Sequence, residues 1–189
     1  LYFIHYFCGG GKWRKVGNWG IKPTLSILPK KNIRMYEGSV IQSLDDKGRL
    51  IIPAKFRRNI PAEANGKVHI ILGRDSCLWL YDDVQWLKTK EKLLQLDEYA
   101  ESDTRLLRQF LYHAEEFQID AQFRILLSQK TMQVVNIKKE VLLIGQLNKV
   151  EIWNPETFDI YLQSSGQSYE DVMEKVLGKK KSPVYPIKN

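Results

Sequence analysis

The feature that most constrains this chain is an internal repeat. LDDKGRLIIP (Leu44 to Pro53) returns as IDAQFRILLS (Ile119 to Ser128), which sets Asp120 on Asp45 and Arg124 on Arg49 at an offset of 75 residues. Further along, IILGRDSCLWLYDDVQW (Ile70 to Trp86) returns as LLIGQLNKVEIWNPETF (Leu142 to Phe158) at an offset of 72, with Gly145 on Gly73 and Trp153 on Tyr81. A unit this small has too few strands and too little apolar surface to stand alone, so the two copies are expected to build one core together.

Each copy reads as short strands followed by a helix. In copy one, 39–44, 49–52, 68–72 and 77–81 have the length, branching and turn-residue boundaries of strands. Asp82 or Asp83 then caps a helix carrying Trp86, Leu87, Leu93 and Leu94. Copy two has the same syntax, with Asn154 as N-cap, Pro155 at the first helical position and Glu156 in the first turn. Between the copies, 102–112 patterns as an amphipathic helix with Leu106, Leu107, Phe110 and Leu111 on one face. A short helix over 169–177 precedes KKKSPVYPIKN, which reads as a disordered basic tail. The expected organisation is a first repeat at 39–86, a helical connection at 87–113, a second repeat at 114–158, and a helix and tail at 159–189.

Charge has to be divided before it can be used. The whole chain is formally +7, but residues 1–34 hold Lys12, Arg14, Lys15, Lys22, Lys30, Lys31 and Arg34 with no Asp or Glu. From Met35 onward, 22 Lys and Arg meet 22 Asp and Glu, so global basicity says nothing about the repeats. The first 34 residues show no sustained helical or strand period and no signal-peptide layout. They are read as translated upstream sequence before a start at Met35, hence a non-native or disordered extension; the alternative is a basic arm that grips DNA.

Several function classes are disfavoured by the residues themselves. Charged side chains interrupt every apolar run well short of the roughly 18 residues a membrane span needs, so the chain is read as soluble, with no membrane partner. Cys8 and Cys77 lack zinc-site spacing, and so few cysteines suit a reducing, cytoplasmic setting. His5, His69 and His113 have no metal-ligand spacing, and His69 sits in an apolar strand pattern. Asp45, Asp46 and Asp120 could be pictured as acid–base carboxylates, but their Lys and Arg neighbours favour ionised structural anions. No P-loop or dinucleotide fingerprint occurs. No catalytic residue, metal site or cofactor is expected.

The duplicated Asp-x-x-x-Arg is the most informative motif. In copy one, Gly48 accepts a positive φ at no steric cost, so Lys47 and Arg49 can flank a tight turn that projects cations. Asp45 and Arg49 could pair merely to fix that turn. The functional reading makes Asp45, Gly48 and Asp120 turn-stabilising, with Lys47 and Arg49 prepositioned for phosphate or a guanine edge. Lys55, Arg57 and Arg58 add a basic turn after Pro53, which leaves 45–58 locally +3 against Asp45 and Asp46. One such patch binds phosphate weakly; several together need not.

YEGSVIQSLDDKGRLIIPAKFR, GRDSCLWLY and the second IDAQFRILL with VEIW resemble the MraZ family, whose members carry two AbrB-like repeats. The resemblance covers Met35 to roughly Leu162. It implies a mainly β fold with flanking α-helices: a duplicated swapped-hairpin barrel of double-psi type with pseudo-two-fold symmetry and helices outside. It also implies a sequence-specific transcriptional regulator of the division and cell-wall gene cluster, nucleoid-associated, whose ring homo-oligomer binds direct repeats in promoter double-stranded DNA. The family's DNA-contacting loop falls on Lys47 and Arg49 in copy one and on Arg124 in copy two. Copy two departs from the pattern: Phe123 replaces the expected Gly, Ser128 the Pro, and Met132 stands where copy one has Arg57. Because a bulky residue is costly at positive φ, the second turn is expected to differ in shape and Arg124 to matter less.

An antitoxin-like protein-interaction module on the same fold is the competing function, since fold does not fix function. Deleting residues 1–34 is expected to leave folding and specific DNA binding intact. Thermal melting by circular dichroism and a mobility shift at moderate salt check this, and loss of binding would favour the basic arm.

Overall fold

The computed structural model describes residues 35–164, 166 and 168–178. The extension at 1–34 and the basic tail after Gly178 lie outside the described residues. Copy one supplies β1 (Ser39–Ser43), β2 (Arg49–Ile51), α1 (Ala54–Arg57), β3 (Lys67–Leu72), β4 (Leu78–Asp82) and α2 (Asp83–Leu93). After α3 (Glu101–Tyr112), copy two supplies β5 (Glu115–Gln118), β6 (Arg124–Leu126), α4 (Gln129–Val134), β7 (Glu140–Gly145), β8 (Val150–Trp153) and α5 (Pro155–Ser164); α6 (Tyr169–Leu177) follows. The fold is mainly β with several helices.

The copies interleave. One antiparallel sheet runs β1-β7-β8-β4-β3-β5, and β2 pairs with β6 in a separate two-stranded ribbon. The first strand of each copy thus pairs with the third strand of the other, β1 on β7 and β5 on β3. β4 and β8 join the copies at the centre. The strand order reads the same when the copies are exchanged. The hydrogen bonding does not close a barrel, however: the large sheet ends at β1 and β5, and the ribbon is a second sheet.

Strand alternation then assigns side chains to two faces. Val68, Ile70, Leu78, Leu80, Val141, Leu143, Val150 and Ile152 form the main core with Tyr36, Phe56, and the ribbon's Leu50 and Ile125. On the other face, Ile71 and Tyr81 meet Trp86 of α2, with Trp79 and Phe110 against them. His69 is buried on that face, bonded through Nε2 to Asp83 Oδ1 at 2.8 Å and stacked on Trp86.

Helix starts follow side-chain chemistry. Asp82, not Asp83, caps α2, its Oδ1 accepting from the Gln85 amide at 2.9 Å. Asn154 Oδ1 accepts from the Glu156 amide at 2.8 Å to start α5. The apolar face expected on α3 is only half used: Leu107 and Phe110 are partly buried, while Leu106 and Leu111 remain exposed. Leu87 of α2 and Leu94 at its C-cap are likewise exposed, so Trp86 is that helix's buried anchor.

The ribbon is the test of this packing. Leu50→Ala or Ile125→Ala is expected to cost about 2–5 kcal/mol by opening a cavity under it. Ile51→Ala, on the outer side, is expected to stay within about 0.5 kcal/mol. Urea unfolding of the three variants measures both.

Candidate nucleic-acid interface

The site grows from two turns that enter β2 and β6. In the first, Asp45 Oδ1 accepts the backbone N–H groups of Lys47 and Arg49, each at 2.9 Å, and Arg49 Nε donates to Asp45 Oδ2 at 2.5 Å. The Gly48 amide closes the turn on the Asp45 carbonyl at 2.8 Å. In the second, Asp120 Oδ1 accepts from the Gln122 and Arg124 amides at 2.8 and 2.9 Å, and Arg124 Nε donates to Asp120 Oδ2 at 2.8 Å. The Phe123 amide closes it on the Asp120 carbonyl at 2.8 Å. The two turns share the same backbone and Nε bonds, and Arg124 adds Nη2 to Asp120 Oδ2 at 2.8 Å.

That match corrects the expectation of an altered second turn. Phe123 adopts φ 61°, beside 78° at Gly48. A side chain at positive φ is costly, and two contacts offset the cost. The Phe123 carbonyl accepts from the Ile52 amide at 2.8 Å, and the Arg57 guanidinium lies 3.7 Å from the Phe123 ring centroid. A close, partly exposed cation–π contact of this kind contributes about 0.5–1 kcal/mol. The first turn has the reciprocal arrangement: the Gly48 carbonyl accepts from the Leu127 amide at 3.1 Å, and Met132 Cε lies 3.4 Å from where a Gly48 Cβ would stand, an ordinary contact. Residue 57 of copy one therefore covers position 123 of copy two, and residue 132 covers position 48. Ser128 makes up for the missing Pro by capping α4, its Oγ accepting from the Thr131 amide at 3.1 Å.

The other expected cations are placed unequally. Lys47 is exposed at the tip of the first turn, and Arg58 is exposed at the end of α1. Lys55 donates to the Ser39 carbonyl and lies 5.0 Å from the Phe56 ring, so its ammonium is held against β1. Arg57 is occupied by Phe123. Asp46 is exposed and holds neither arginine.

What the sequence reading missed is the outer face of the ribbon. Arg49 pairs with Leu126 and Ile51 with Arg124, while Leu50 and Ile125 pair between them and point into the core. Alternation therefore sets both arginines on one solvent-facing side with Ile51 and Leu126. The signal was present in the period-2 pattern Arg-Leu-Ile and Arg-Ile-Leu, but it needed the cross-copy pairing to become one surface.

Electrostatics keeps both aspartates ionised. The Arg49 backbone N–H, helped by the guanidinium Nε, draws the Asp45 carboxyl below the usual range; for Asp120 the Arg124 side chain does most, then its backbone N–H. Elsewhere, burial pushes the Cys77 thiol up to about 12, which leaves it a poor nucleophile. Among the described residues, no group of three His, Cys, Asp or Glu could hold a metal ion, and no helix is long and apolar enough to cross a membrane.

A family model described as "MraZ protein, putative antitoxin-like" matches residues 35–109 and again 110–179, about three quarters of the chain. The second match begins inside α3, between the two interleaved copies.

A depressed carboxylate pKa contributes stability that is present above the unfolded value, about 4, and is lost as pH falls through the folded value. Wild-type stability is thus expected to drop below about pH 4. In the Asp45→Asn, Asp120→Asn double variant the drop should be shallower, as urea midpoints followed from pH 6 to pH 2.5 will report.

Proposed function

The chain belongs to the MraZ family, and from that premise we propose that it is a sequence-specific DNA-binding transcriptional regulator of the division and cell-wall gene cluster. The observation that carries this reading is the pair of matched Asp–Arg turns at the two ends of one exposed ribbon. Each carboxylate fixes its arginine through Nε. In Arg49 that leaves both terminal nitrogens for a guanine edge or a phosphate, which is bidentate recognition by a preorganised fork. Lys47 and Arg58 supply backbone charge around it.

We read the interleaved copies as the swapped-hairpin arrangement with a pseudo-two-fold relation between them. Self-association into a ring would set several such ribbons at fixed spacing along direct promoter repeats. Exposed apolar side chains on α3, α5 and α6, among them Leu106, Ile160, Val172 and Val176, support the capacity to associate. One arginine contact discriminates by only about 1–3 kcal/mol. Linked contacts turn later binding events into intramolecular ones and multiply affinity when the spacing matches. Nucleoid association would follow.

The family description's word "antitoxin-like" keeps a partner-binding reading in view. Its partner would use the helices rather than the arginines.

Fluorescence anisotropy on a duplex with several direct repeats and on one with a single repeat tests the proposal. Wild type is expected to bind the former far more tightly. Arg49→Ala and Arg124→Ala should each weaken single-repeat binding roughly 10- to 100-fold, and more on the repeated site, while light scattering shows the assembly intact. The Arg124→Ala loss should be the smaller, because Asp120 also holds one of the Arg124 terminal nitrogens. Equal affinity for both duplexes, or normal binding by both variants, would overturn it in favour of the partner-binding module.

A further inference from the structure

We propose that the ribbon's outer face reads thymine as well as guanine, with Ile51 and Leu126 as specificity residues that pack on thymine methyl groups. The inference rests on the DNA-binding reading and names which bases that site selects.

Ile51 and Leu126 are 44% and 58% exposed, although each ends a ribbon strand and shares the outer face with Arg49 and Arg124. They are not there for the core, because Leu50 and Ile125 fill that role from the opposite side. Nor do they suit phosphate, which offers an aliphatic side chain nothing. Each instead stands directly opposite an arginine, Leu126 across from Arg49 and Ile51 across from Arg124.

A two-stranded ribbon is one of the two elements that the major groove, about 12 Å wide, admits. In that groove the guanidinium's partner is guanine O6 and N7, and the aliphatic group's partner is the thymine C5-methyl. Cross-strand neighbours lie about 4.5–5.5 Å apart at Cβ, against about 3.4 Å between successive bases. Each arginine–aliphatic pair therefore spans one to two base steps and calls for a thymine within that distance of the guanine. Because the strands are antiparallel, the two pairs run in opposite order, so the second thymine lies on the other side of its guanine.

The occupant is duplex DNA rather than a protein because the apolar pair is framed by cations. Arg49 and Arg124 stand directly across the ribbon from it, Lys47 and Arg57 lie at the two turns, and the Asp45 and Asp120 carboxylates are bonded to the arginines.

The test needs no altered protein at its core. A duplex site is selected from a randomised pool by the full chain, and each thymine in it is replaced singly by deoxyuridine, which lacks only the methyl group. Anisotropy is expected to show about four-fold weaker binding per methyl contacted, the worth of one buried carbon group. Ile51→Ala should abolish the uracil effect at one position and Leu126→Ala at the other, each leaving the remaining position sensitive. Selected sites with no thymine within two steps of guanine, or indifference to every uracil while Arg49→Ala still destroys binding, would overturn this inference and leave DNA recognition standing. Leu126→Ala that splits the assembly in light scattering, without any uracil effect, would assign the face to a contact between copies and overturn it too. No Arg49-dependent DNA binding at all would overturn both readings.

Discussion

Everything at the candidate interface depends on the exchange of hydrogen bonds between β2 and β6. Each strand is three residues long, and apart from a bridge from Leu50 to Leu44 the two pair with each other. A segment this short cannot satisfy its backbone groups alone. The ribbon is extended at both ends by reciprocal bonds, Ile52 amide to Phe123 carbonyl and Leu127 amide to Gly48 carbonyl, so each turn's carbonyl is held by the other copy's strand. Once that pairing forms, Leu50 and Ile125 are committed inward, and alternation sends Arg49, Ile51, Arg124 and Leu126 outward.

The same exchange explains how the copies could diverge without losing the turn. A glycine occupies the positive-φ position where its cover is the bulky Met132, and a phenylalanine occupies it where the cover is a flat guanidinium. The compensating residue is never in the same copy. Each copy supplies the other's lid, so substitutions at 48 and 132, or at 57 and 123, form coupled pairs whose energetic effects are not additive.

The opposite face of the large sheet has a different logic. The Glu151 carboxylate is buried beside Trp79 and Trp153 and accepts both indole N–H groups, at 3.1 and 3.0 Å, which pins the central β4–β8 pair from above. Lys149 lies 4.6 Å from the Trp79 ring centroid and adds a cation beside that anion. A buried carboxylate kept by two donors is a costly arrangement for stability alone, but it fixes the rotamers of two large aromatic side chains. Helices α2 and α5 then anchor on either side through Trp86 and Phe158.

The sequence by itself determined the strand-then-helix syntax of each copy, the cap at Asn154, the duplicated Asp–Arg turn and the family, because each is written in local chemistry: side-chain period, capping oxygens and residues that tolerate positive φ. It misjudged Phe123, since the strain of a side chain at positive φ is visible locally while the guanidinium that offsets it comes from a residue 66 positions earlier, Arg57. It could not show that α3 leaves Leu106 and Leu111 exposed, because an amphipathic period says which side is apolar and not whether anything covers it. Nor could it show that the strands stop at an open sheet and a separate ribbon. Only the tertiary structure decided which strand pairs with which, and hence that two arginines and two aliphatic side chains from different copies share one surface. Strand pairing is a long-range choice among chemically similar segments, settled by the joint burial of both copies' apolar faces rather than by any residue's own preference.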